Sequence, residues 1–267
     1  MPTASLNGIH VYFERSGNGP PLLFLNGSGS TLQSSELVIN VFRSRFDVIA
    51  HDQRGLGRTE IPKGPYSMAD YAADALALLD HVELPRCRVV GISFGGMVAQ
   101  ELAVTAPERV ERLALICTSP GGPDHASYPL HELATLGPDE RAKVYLPLLD
   151  TRFDEAWLAT HDRDRALVAS MAGRVAGDKS DEQFRGEREQ LAARSHHDVR
   201  DRLDRVTCPT LVAGGRFDGI APPGNSETIA ALVPGAELRL YEGGHAFFAQ
   251  DRRALPEVMD FLQGDAG

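Results

Sequence analysis

The 267-residue chain has little of what a disulfide-stapled, membrane-spanning or nucleic-acid-binding protein requires. Its three cysteines, Cys87, Cys117 and Cys208, are odd in number, far apart and without a CxxC pair. That spacing excludes a disulfide framework or a zinc site as the organising principle and predicts buried, reduced thiols. Basic residues are outnumbered, 27 Lys and Arg against 37 Asp and Glu. The resulting net charge of −10 argues against a nucleic-acid or anionic-membrane partner, either of which favours a basic face. No apolar run approaches the roughly 20 residues needed to span a bilayer. The first residues, Met1 to Gly8, lack the charged and apolar regions of a secretory leader, so a cytoplasmic location is expected. The dinucleotide fingerprint is absent too: after Gly55 and Gly57 the third glycine position holds Glu60. His196 and His197 are adjacent but have no ligand quartet around them, so no metal is expected.

With 42% hydrophobic residues, the chain can bury a large core. Pro21 to Leu25, Phe46 to Asp52, Cys87 to Ile92, Val110 to Cys117, Thr210 to Gly214 and Glu237 to Tyr241 read as short apolar strands, and Ile9 to Arg15 alternates like one. Between them, Ser67-Met68-Ala69-Asp70 resembles a capping box ahead of a helix from Tyr71 to Leu84. Strands alternating with helices imply a largely parallel sheet wrapped by helices. The pattern changes from about Ser119 to Val206, where strand-like runs vanish and helical stretches such as Arg141 to Leu149 and Phe184 to Arg194 dominate. We therefore expect residues 1–118 and 207–267 to form the α/β core, and 119–206 an inserted helical cap.

The chemistry centres on Gly91-Ile92-Ser93-Phe94-Gly95-Gly96, where an apolar strand stops at a serine and resumes as a helical repeat. In a chain with 26 glycines the GxSxG pattern is weak alone; its place between strand and helix gives it meaning. A serine hydroxyl needs a base, normally a histidine held by a carboxylate. Among nine histidines, His245 stands out because Glu242-Gly243-Gly244-His245 follows the last strand. Asp218, in Gly215-Arg216-Phe217-Asp218, likewise follows a strand, and Asp124 is the weaker alternative. Asp52 and Arg54 read as turn-fixing residues.

The order Ser93, Asp218, His245 is that of the α/β-hydrolase arrangement, and the sequence resembles that fold family over nearly all its length. Asn26-Gly27-Ser28-Gly29 resembles the family's His-Gly-x-Gly loop, Asp52 to Gly57 its DxRGxG turn, and Gly91 to Gly96 its nucleophile elbow. The resemblance implies an eight-stranded, mostly parallel sheet with an inserted helical cap. It also implies a Ser93, Asp218, His245 triad and an oxyanion hole made by the backbone N–H groups of Ser28 and Phe94, with no cofactor. Asn26 departs from the family's histidine. A small-molecule substrate is expected, a carboxylic ester or lactone as in enol-lactonase-like and small-esterase sequences. Asn26, Trp157 and Phe247 are pocket candidates, and Tyr128, Tyr145, Phe153, Met171, Phe184, Phe94 and Phe248 offer further apolar surface. Carbon–carbon hydrolases of ring-cleavage products are an alternative, although they commonly carry Asn and Trp where this chain has Ile92 and Ala246. Lyases and perhydrolases keep the same triad, and a non-catalytic small-ligand receptor could use the same fold. The oligomeric state is not fixed by the sequence.

Overall fold

The computed structural model describes residues 3–175 and 179–264. Eight strands form one sheet: β1 (Thr3–Leu6), β2 (Ile9–Ser16), β3 (Pro21–Leu25), β4 (Asp47–His51), β5 (Cys87–Ile92), β6 (Val110–Ile116), β7 (Thr210–Gly215) and β8 (Glu237–Tyr241). Their spatial order is β1-β2-β4-β3-β5-β6-β7-β8. β1 with β2 and β2 with β4 are antiparallel, and every other neighbouring pair is parallel. The strand order reverses between β3 and β5, so loops leaving the carboxyl ends of these two strands flank a crevice where ligands of open α/β sheets collect.

Apolar runs become central strands because both faces are covered, and the period of two divides each strand between two cores. Leu23, Leu25 and Val89 point to the side packed by α2 (Met68–His81) and α3 (Phe94–Thr105). Leu22, Phe24, Val90 and Ile92 point to the opposite side, with α1 (Glu36–Arg43) and α10 (Ala254–Gln263). The capping box at Ser67 and Asp70 forms, each side chain bonding the other's backbone N–H. α2 ends at His81, three residues before the predicted Leu84. Glu83 takes the left-handed conformation (φ 56°), and the N–H of Leu84 turns back to the carbonyl of Leu79, which closes the helix.

Between β6 and β7 the chain forms α4 (Pro138–Leu149), α5 (Glu155–Thr160), α6 (Asp162–Val175) and α7 (Asp181–Ser195). Leu149, Phe153 and Ile220 make a small separate core, with Tyr145 and Trp157 packed on it. The side chain of Met171 lies outside the described residues. α8 (Pro223–Leu232) follows β7, and α9 (Phe247–Gln250) follows β8. Among the described residues, no helix is long and apolar enough to cross a membrane.

Candidate active site

Ser93 joins β5 to α3 with φ 54° and ψ −114°. A side chain rarely adopts that conformation, which costs about 1–3 kcal/mol and survives only where surrounding structure dictates it. The neighbouring glycines explain how. A Cβ on Gly91 would run into the carbonyl of Gly95, and one on Gly95 into the carbonyl of Leu25. The strand and helix approach each other at a distance only glycine permits. The N–H of Ser93 donates to the Ile116 carbonyl at 2.8 Å, and its own carbonyl accepts from Thr118 Oγ1 at 2.8 Å.

His245, beyond β8, places Nε2 3.0 Å from Ser93 Oγ and Nδ1 2.8 Å from Asp218 Oδ2. Asp218, beyond β7, is buried; its Oδ1 also accepts the N–H groups of Ile220 and Ala221, both at 2.8 Å. Because this carboxylate acts as acceptor for its neighbours, the imidazole proton belongs on Nδ1, which leaves Nε2 to accept from the serine hydroxyl. Ser93 is 8% exposed. The three residues that the sequence placed in separate loops thus meet at the carboxyl ends of β5, β7 and β8.

The loop after β3 lies alongside. A Cβ at Gly27 would sit 3.6 Å from Ser93 Cβ, so the loop that carries Asn26, Gly27 and Ser28 approaches Ser93 at its glycine. Asn26 is buried, and its backbone carbonyl accepts Gln53 Nε2. Phe94 is the first residue of α3, so its N–H has no acceptor within the helix.

The aromatic pocket candidates settle elsewhere. Phe247 is fully buried in the sheet core, stacked on Tyr241 at 5.2 Å, two residues beyond His245. The ring of Phe94 is also fully buried, edge-on to Tyr71 at 4.9 Å. Neither ring is exposed to solvent. Trp157 stacks on His161, donates Nε1 to Asp164 and lies under the guanidinium of Arg152. These contacts hold it within the segment between β6 and β7. Asp52 and Arg54 fix their turn: Asp52 accepts the N–H groups of Leu32 and Arg58, and Arg54 forms a two-bond pair with Asp74.

Several residues near the site carried no signal in the sequence. Gln250 accepts the N–H of Gly244, next to His245, and donates to the buried Asp150. Gln190 of α7 accepts the N–H of Gly29, one residue beyond Ser28. Polar residues on a charged helix or after a strand carry no pattern that distinguishes these roles.

A family model for the alpha/beta hydrolase fold matches residues 20–251. The 3-oxoadipate enol-lactonase 2 of Acinetobacter baylyi is 27% identical, over 90% of this chain and 87% of that protein. The poly(3-hydroxyalkanoate) depolymerase of Ectopseudomonas oleovorans is 29% identical, over 91% and 84% respectively. The crystal structure of the enol-lactonase from Burkholderia xenovorans LB400 superposes with a TM-score of 0.80 at 26% identity, covering 98% of this chain and 100% of that one. The chain belongs to the alpha/beta hydrolase fold family. It is a hydrolase.

Proposed function

We propose that this hydrolase cleaves a small-molecule carboxylic ester or lactone through a serine acyl-enzyme, with Ser93 as nucleophile, His245 as base and Asp218 as the acid that orients it. The observation that carries this reading is the continuous relay from Asp218 to His245 at 2.8 Å and from His245 to Ser93 at 3.0 Å, on a strained strand-to-helix turn.

His245 Nε2 takes the Ser93 proton as Oγ attacks the carbonyl carbon, and Asp218 stabilises the imidazolium that forms. The backbone N–H groups of Ser28 and Phe94 receive the oxyanion; loss of one such donor typically costs about 3 kcal/mol of transition-state stabilisation. The tetrahedral intermediate collapses, His245 returns its proton to the leaving alcohol, and water activated by the same ring releases the acid. The names of the lactonase and depolymerase relatives support ester or lactone chemistry. Residues 119–206 act as the cap that shapes the substrate site. The reaction proceeds without a cofactor. The three cysteines are buried and unpaired, which suits a cytoplasmic enzyme.

The test combines covalent labelling of Ser93 by an organophosphonate with turnover of p-nitrophenyl acyl esters. The wild-type protein should show both, and folded Ser93→Ala neither; hydrolysis by that variant near the wild-type rate would remove the assignment. Labelling without turnover would instead point to a ligand receptor. Lactones and vinylogous diketones in the same assay separate ester from carbon–carbon hydrolysis, and Ile92, which has no side-chain hydrogen-bonding group, favours the ester arm.

A further inference from the structure

Two side chains on α7 carry buried donors that find no acceptor among the described residues. Gln190 is fully enclosed; its Oε1 accepts the Gly29 N–H at 2.8 Å, which fixes the orientation of the amide, and its Nε2 has no partner. One turn further, Arg194 is only 5% exposed. Its Nη1 donates to the Tyr128 carbonyl at 2.7 Å, while Nε and Nη2 have no partner. Residues four apart share a helix face, and both ends of this face are tied to the site. Gly29 adjoins Ser28 in the loop beside Ser93. Tyr128 donates its N–H to Ile220, whose own N–H donates to Asp218 Oδ1, both at 2.8 Å. On the facing loop, Asn26 Nδ2 and Ser28 Oγ are also buried without a partner.

Arginines that the fold encloses for its own sake look different here. Arg54 meets Asp74 with two bonds of 2.7 Å, and Arg202, which is only partly buried, still meets the buried Glu101 with two of 2.7 and 2.8 Å. Arg194 has one carbonyl. Asp218 is the carboxylate whose charge acts on it, and that group is already taken by His245, Ile220 and Ala221. Burial pushes the guanidinium down to about 10, which leaves it charged at neutral pH. Unmade bonds on a buried cation are unfavourable, and a group left in that state beside an active site calls for a ligand that completes it.

We propose that Arg194, assisted by Gln190, receives a carboxylate of the substrate, so that the enzyme acts on esters or lactones bearing a free carboxylate. The inference rests on the serine hydrolase reading above. A guanidinium edge presents two parallel N–H donors, the arrangement that matches the two oxygens of a carboxylate. One unpaired cation near the charge of Asp218 suits a single negative charge better than a phosphate dianion. The net charge of −10 repels anions at long range, so recognition of such a substrate must come from a local cation of this kind.

The test compares p-nitrophenyl hemiglutarate with its neutral counterpart, p-nitrophenyl valerate, and reads the ratio of their kcat/KM values. In the wild type the ratio should favour the charged ester by about tenfold or more. In Arg194→Gln it should fall by at least about tenfold, and Arg194→Lys should restore part of it. A wild-type preference for the neutral ester, or an unchanged ratio in Arg194→Gln, overturns the proposal. Should Arg194→Gln fail to fold, protection of wild-type Ser93 against organophosphonate labelling decides. Glutarate should protect at concentrations at least about tenfold lower than neutral glutaramide, and equal protection refutes the anion site. Turnover of both esters without a charge preference defeats this inference alone. If neither ester is turned over and no label is taken up, the hydrolase reading fails, and calorimetric binding of glutarate to Ser93→Ala then judges the anion site by itself: binding supports it and no binding overturns it.

Discussion

The backbone N–H of His245 donates to the carbonyl of Leu149 at 2.6 Å, which clamps the proposed base to the end of α4. The same segment holds the acid loop, since Gly219 N–H donates to Leu148 and Thr151 N–H to Phe217. Residues 148–151 therefore lie between the two loops that must keep Asp218 and His245 in register. A catalytic base displaced by about 1 Å can lose on the order of 100-fold in rate, so under the proposed mechanism this strap would bear on activity.

Gly244→Ala tests the strap. A Cβ there would run into the Leu149 carbonyl and approach Asp150, so the base loop must shift. We expect kcat to fall by about 10- to 100-fold while far-UV circular dichroism is unchanged. A variant with wild-type kcat would show that the clamp does not position His245.

Thr118 supports the elbow from the opposite side. Its hydroxyl donates to the Ser93 carbonyl at 2.8 Å, and a Cβ on Gly96 would meet its side chain at 2.6 Å. Thr118→Val keeps the shape and removes the donor, so it should cost about 1–2 kcal/mol in urea denaturation and lower kcat more than it changes KM. Thr118→Ser should recover most of both. Equal stability of the Val and Ser variants would mean that the hydrogen bond contributes nothing measurable.

Acid should destabilise the fold through two buried histidines. Burial pushes both His51 and His197 down from 6.5 to about 4. Above pH 6.5 each ring is neutral whether the chain is folded or unfolded, and it contributes no pH dependence. Between pH 6.5 and about 4 the unfolded chain binds protons that the folded chain refuses, so stability falls as pH falls. The loss amounts to about 3 kcal/mol per ring by pH 4. Urea titrations at intervals through this window should show that slope, and His51→Leu should reduce it. A slope that His51→Leu leaves unchanged would assign the acid sensitivity elsewhere.

The parts legible in the sequence were those whose physics is local. The elbow could be read because a strand turning into a helix at Ser93 demands Gly91 and Gly95 at fixed offsets. Asp218 and His245 stood out because each follows a strand readable from its own residues, β7 buried along its length and β8 at the sheet edge. β1 was not legible, being four residues at the sheet edge with little apolar content, nor was α8, which opens with Pro223, Gly224 and Asn225. The side on which Phe94 and Phe247 settle, and the enclosure of Gln190 and Arg194, arise only when distant segments pack. Periodicity carries no record of that.

The DxRGxG turn provides a stability test that is separate from catalysis. Arg54 is enclosed between Tyr66 and Tyr71, with its guanidinium 5.7 and 5.9 Å from the two ring centroids, and it gives two hydrogen bonds to Asp74, which also accepts from Asn7. Removing one member leaves the other charge buried without its two-bond partner, with only Asn7 left on Asp74 or Asp70 at 3.6 Å left on Arg54, so Arg54→Met and Asp74→Leu should each cost about 3 kcal/mol. The double variant replaces two desolvated charges by apolar groups, and its loss should be well below the sum of the two single losses. Urea midpoints of the four proteins close the cycle. Strict additivity would show that Arg54 and Asp74 do not act as a pair.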